Sequence, residues 1–188
     1  MSEVKRTYFE SGELESEVFL LNGKRNGEYK QYHENGQLYI ISSYIDDKIN
    51  GEYKSYWSNG QLWSISSYID GKKNGEYKSY HDNGQLYWIC SYIDGKKNGE
   101  YKEYYEDGSE LSKDNSKRKN LSSTDSFGQL ESICSYINDE INGEYKQYYS
   151  NGQLCVNCSY IDGKLHGEYK SYYEDGQLNE SFSFIDDK

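Results

Sequence analysis

The string Gly-Glu-Tyr-Lys begins at Gly27, Gly51, Gly75, Gly99, Gly143 and Gly167, at intervals of 24, 24, 24, 44 and 24 residues. Copies at a fixed spacing define a repeat array, in which each unit buries its apolar face against its neighbours rather than around one central core. The landmarks extend upstream, because Tyr8, Phe9, Ser11, Gly12 and Leu14 lie one period before Tyr32, His33, Asn35, Gly36 and Leu38. The chain therefore reads as a single array over residues 1–188. A partial unit occupies 1–26, regular units 27–108, and regular units with a C-terminal cap 128–188.

The 44-residue interval equals two periods less four residues, and Phe127-Gly128-Gln129-Leu130 restores the landmark at its end. Residues 109–127 read as one degenerate unit, for about eight units in all; an insertion of about 20 residues is the alternative.

Composition decides what the units are made of. The chain holds 23 tyrosines and 18 glycines and no proline, while hydrophobic residues reach only 34%. Too few aliphatic side chains are present for a helical bundle or a doubly wound core, and the aromatic content excludes a disordered chain. Asn-Gly between apolar-rich runs is a hairpin signal, so Asn35-Gly36, Asn59-Gly60, Asn83-Gly84 and Asn151-Gly152 are expected to form type I′ turns, with Asp107-Gly108 and Asp175-Gly176 as equivalents. A second turn, as in Asp70 to Gly75, joins one hairpin to the next. The expected fold is all-β, an elongated single-layer antiparallel array of repeated hairpins. In the second strand of each unit Leu38, Ser42 and Tyr44 share one parity and Ile41, Ser43 and Ile45 the other, so both faces are expected to be partly packed. The small Ser or Cys leaves room for a tyrosine ring from the neighbouring strand. Tyr29 and Tyr32 differ in parity, which places them on opposite faces unless a bulge intervenes. Glu10, Glu13, Glu15 and Glu17, with Asp186, Asp187 and Lys188, are expected to guard the edges.

The formal net charge of −11 opposes binding to nucleic acid and disfavours anionic membrane surfaces. The N-terminal segment lacks an apolar stretch and reads as no secretory signal, so a cytoplasmic location is expected. Cys90, Cys134 and Cys158 occupy one repeat position and Cys155 lies three residues before the last; they read as small half-buried residues, not as a disulfide or a metal set. Asp94 to Gly99 looks superficially like a calcium loop, but Lys96 and Tyr105 stand where ligands belong, so it reads as a turn. No catalytic grouping assembles from three histidines, and a site repeated in every unit does not look like an active site. No cofactor is expected.

The segments Tyr68 to Tyr77 and Tyr160 to Tyr169 follow Y-x-D-G-K-x-x-G-x-Y, and nearly the whole chain resembles the MORN repeat, in the variant class whose units read G-x-Y-x-x-Y-x-x-N-G-x-L. The Gly-x-Trp element of the main class is missing. The resemblance implies a curved layer of hairpins acting as a scaffold or interaction surface; members are linked to lipid binding or dimerisation, and bacterial variants are labelled antitoxin-like.

Two features could carry binding. The first is a column of variable aromatics beside the Asn-Gly turns, namely His33, Tyr39, Trp57, Trp63, His81, Tyr87 and Trp88, suited to a protein partner. The second is the basic group Lys113, Lys117, Arg118 and Lys119, a possible lipid or phosphate patch. The expected role is a non-enzymatic scaffold binding a protein partner, with a peripheral lipid-binding module or an antitoxin-like inhibitor as alternatives. Near-identical units also permit self-association.

Overall fold

The computed structural model describes residues 1–106 and 128–184, without a helix among them. The chain divides into two compact units, one of residues 1–84 with 91–96 and one of residues 85–90 with 97–188. The first holds β1 (Ser2–Tyr8), β2 (Leu14–Leu21), β3 (Lys24–Tyr32), β4 (Leu38–Ile45), β5 (Lys48–Tyr56), β6 (Leu62–Ile69) and β7 (Lys72–Tyr80), and the last residues of β8 (Leu86–Ile93). From β1 to β7 each strand pairs antiparallel with the next. The second unit holds the start of β8, nearly all of β9 (Lys96–Tyr104), and then β10 (Leu130–Ile137), β11 (Glu140–Ile141), β12 (Gly143–Tyr148), β13 (Leu154–Ile161), β14 (Lys164–Tyr172) and β15 (Leu178–Phe184). Here too the pairing from β9 onward is antiparallel and sequential, β10 meeting both β11 and β12.

Within each unit the hairpins repeat one register. Tyr29 lies opposite Ser42 and Tyr53 opposite Ser66 in the first unit; Tyr101 lies opposite Cys134 and Tyr145 opposite Cys158 in the second. β9 and β10 thus pair like any other hairpin, although residues 107–127 separate them. Those residues lie outside the described ones, and with them the basic group Lys113, Lys117, Arg118 and Lys119 and the alternatives of degenerate unit and insertion; so do 185–188.

The small residue opposite each tyrosine works as expected. The Tyr29 ring meets Tyr44 with centroids 5.8 Å apart and nearly perpendicular planes, and Tyr53–Tyr68, Tyr77–Tyr92, Tyr101–Tyr136 and Tyr145–Tyr160 repeat the contact at 5.7–6.0 Å. Each such pair is worth about 0.5–1.5 kcal/mol beyond its buried area. Burial pushes the hydroxyls of Tyr53, Tyr136 and Tyr145 up to about 12. The small residues themselves, Ser42, Ser66, Cys90, Cys134 and Cys158, are buried.

The other face is also partly packed, with Ile41, Ile65, Ile89 and Ile133 half-buried. Ile45, Ile69, Ile93, Ile137 and Ile161 remain about half exposed, because a single layer has nothing to lay over them. That face also carries ion pairs two residues apart along one strand, as in Lys54–Glu52 and Lys146–Glu144, whose exposure makes them minor contributors.

The Asn-Gly turns depart from the type I′ expected of them. Asn35 does not have positive φ; Gly36 N–H donates to His33 O at 2.9 Å and His33 N–H to Gln37 O at 2.8 Å, with Gly36 at φ 78°. This is a three-residue loop, a type I turn closed by a glycine bulge. Asn35 prefers it because its Oδ1 accepts from Gln37 N–H at 3.0 Å. Type I′ geometry appears instead at the second turn, where Asp70 and Gly71 have φ 50° and 82° and Asp94 and Gly95 51° and 86°. Asp94-Gly95 is therefore a turn, as its sequence suggested.

Candidate functional site

Two side-chain ladders link successive hairpin turns within each unit. In the first, the asparagine that shapes its own turn also donates through Nδ2 to a carbonyl one unit downstream: Asn35 to Ser58 O and Asn59 to Asp82 O at 2.8 Å, and Asn151 to Glu174 O at 3.2 Å. In the second, an aromatic ring two residues before that asparagine does the same. Trp57 Nε1–H donates to Tyr80 O at 3.1 Å, and the Tyr105 and Tyr149 hydroxyls donate to Tyr148 O and Tyr172 O at 2.8 Å. His33 Nε2 lies 3.0 Å from Tyr56 O. A carbonyl only accepts, so this nitrogen carries the proton. The position accepts His, Trp or Tyr because each combines a flat ring with an N–H or O–H donor at its far end.

A second set of aromatics sits on a bulge. Gln31 pairs with Ile40 and Tyr32 with Leu38, which leaves Tyr39 as the extra residue; Trp63 is the extra residue in the next hairpin, Glu131 and Cys155 in later ones. Bulges re-aim side chains. In the first unit the two sets meet: His33 lies 4.7 Å from Tyr39, Tyr39 stacks on Trp63 at 6.5 Å with planes 11° apart, and Trp57 lies 5.1 Å from Trp63. Trp63 is 36% exposed.

The structure thus brings together four of the seven aromatics singled out in the sequence: His33, Tyr39, Trp57 and Trp63. Tyr87 and Trp88 belong to the second unit. Trp88 packs on Tyr101 at 5.6 Å, and the Tyr87 hydroxyl bonds to Glu103. His81 occupies the ladder position of β7's turn and is half-buried. Sequence reading missed Lys97, Tyr101, Glu103 and Tyr136 around Trp88. Their signal was available in register, since Glu103 stands where other units carry Gln31, Ser55, Ser79, Gln147 and Ser171.

The four cysteines are free thiols. Burial pushes the Cys134 thiol up to about 11 and raises Cys158 as well, which suits packing rather than reactivity. Among the described residues no group of three or more His, Cys, Asp or Glu could hold a metal ion.

A family model described as MORN repeat variant matches residues 25–46, 49–70, 73–94, 97–115, 141–162 and 165–186, well over half of the chain. The chain belongs to this family of MORN repeat variants. Membership points to a repeat scaffold, an interaction or membrane-binding module, and the family is generally non-enzymatic. No curated protein matches the chain. Two solved structures align with it at 12% identity: one described as "Crystal Structure of TcdB2-TccC3-TEV", over 92% of this chain with a TM-score of 0.25, and one as "Crystal Structure of TcdB2-TccC3-Cdc42", over 94% with 0.20. The chain spans 11% and 12% of those chains, and at these scores the likeness carries no weight.

Proposed function

We propose that the chain is a scaffold that binds a protein partner through the ring cluster His33, Tyr39, Trp63 and Trp57. The observation that supports this reading is the continuity of the cluster, with successive centroids 4.7, 6.5 and 5.1 Å apart and Trp63 at its exposed point. Rigid aromatic surface of this kind buries much area at little cost in side-chain entropy. His33 and Trp57 already serve the carbonyl ladder, so Tyr39 and Trp63 on the bulge are the rings offered outward.

The test is affinity purification from the native source with the wild-type chain and with Trp63→Ala. A partner retained by the wild type and lost by Trp63→Ala at unchanged thermal stability supports the reading. A partner held equally by both, or by Tyr39→Ala/Trp63→Ala as well as by the wild type, overturns it.

A further inference from the structure

Two departures from the repeat in the second unit converge. Trp88 stands where other units carry Ile40, Ser64, Ser132 and Val156, and Glu103 where they carry Gln or Ser. Around them three rings face one point: the Lys97 ammonium lies 5.3 Å from the centroid of Trp88, 5.0 Å from Tyr101 and 4.8 Å from Tyr136. Beside the rings, Glu103 accepts from Ser132 Oγ at 3.3 Å and from the hydroxyls of Tyr101 and Tyr87. Two tyrosines and a tryptophan surround a cation as recognition cages do, with a carboxylate bonded to one of the tyrosines, and here the occupant is the chain's own lysine.

Cation–ring contacts recur at this repeat position, with Arg25 over Tyr44 at 4.2 Å and Lys73 over Tyr77 and Tyr92 at 4.2 and 5.1 Å, and at Lys97 a tryptophan is added and a carboxylate bonds to one of the rings. The geometry points to an exchangeable cation site, formed by Trp88, Tyr101, Tyr136 and Glu103, whose external ligand is a quaternary ammonium group and whose resident competitor is Lys97. The exchange is favoured by hydration. A primary ammonium is compact and strongly hydrated, so Lys97 regains water when it swings out, whereas a methylated ammonium holds water weakly and gains more from the ring faces. The Lys97 backbone stays in place, because its N–H donates to Asp139 Oδ1 at 2.7 Å and its carbonyl accepts from Asp139 N–H at 3.0 Å, so only the flexible stem has to move. The site lies wholly within the second unit and does not depend on the partner reading above.

The experiment is an NMR titration of the full chain with tetramethylammonium chloride, with ammonium chloride as the control, following the Trp88 indole N–H. Tetramethylammonium is expected to shift that signal saturably where ammonium does not. Lys97→Met should tighten binding about tenfold by removing the competitor, a gain that misfolding cannot produce. Trp88→Leu should abolish it while the strand signature in circular dichroism persists. Equal response to both salts, or no gain in Lys97→Met, overturns the assignment. Displacement of tetramethylammonium by a trimethyl-lysine peptide or by phosphocholine vesicles supports it and names the source; displacement by neither overturns it.

Discussion

The indole N–H of Trp57 donates to the carbonyl oxygen of Tyr80, 3.1 Å away and 23 residues downstream. A side chain on one hairpin turn thereby satisfies a backbone acceptor on the next, at a half-buried site where that acceptor has limited access to water. Trp57→Phe keeps a ring and removes the donor. It should destabilise the protein by about 1–2 kcal/mol, the cost of leaving such an acceptor unmade. Tyr105→Phe and Tyr149→Phe should cost a similar amount in urea unfolding, and a loss below about 0.3 kcal/mol at all three sites would remove the ladder from the stability account.

Asn59 works in two directions, its Oδ1 accepting from Gln61 N–H at 2.9 Å and its Nδ2 donating to Asp82 O at 2.8 Å. Asn59→Asp preserves the first bond and turns the second into a repulsion between two oxygens. A loss of about 1 kcal/mol is expected, and Asn59→Ala, which loses both bonds, should cost more. The two variants reversing in order under chemical denaturation would contradict this division of labour.

The tyrosine pairs set a limit at alkaline pH. Burial holds Tyr53, Tyr136 and Tyr145 at about 12 in the folded chain, against 10.0 for a free side chain. The neutral hydroxyl is thus the form the fold prefers. Stability from these groups is fully present below pH 10 and is lost as pH rises toward 12, because the unfolded chain ionises first. Thermal midpoints should be flat up to about pH 10 and then fall, with ionisation of these three rings, followed residue by residue by NMR, rising together with loss of strand signal. Ionisation of Tyr53, Tyr136 or Tyr145 near pH 10 without unfolding would show that these rings are open to water.

The cysteines should separate by reactivity. Cys90, Cys134 and Cys158 are buried, and Cys155, the extra residue of its bulge, is half-buried. Alkylation of the native chain at neutral pH should label Cys155 first, with the other three modified only in denaturant, as mass spectrometry of the peptides would show. Equal labelling of all four in the native state would contradict the packing of the small-residue column.

Much of this architecture was legible because a 24-residue period containing two turn signals leaves room for two strands and little else. The tyrosine opposite a small residue followed from strand parity. Turn type did not follow, since Asn35-Gly36 and Asp70-Gly71 are equally good type I′ dipeptides. Loop length separates them: the closing pair His33 and Gln37 encloses three residues, whereas Ile69 and Lys72 enclose two. The bulge at Tyr39 and Trp63 was not legible either; it breaks the strand's alternation and lets these rings meet His33 and Trp57. The mixed character of the second face was legible from parity, but which of its isoleucines is half-buried, as Ile41 is, and which half exposed, as Ile45 is, was not.

Within each unit the ladders run one way, a turn giving its donor to the turn one repeat downstream. A whole period is consequently a cassette that can be duplicated or excised with donor and carbonyl still matched at the splice. An insertion that leaves neighbouring strands paired is tolerated as well, since Tyr105 still reaches Tyr148 O across the 44-residue interval.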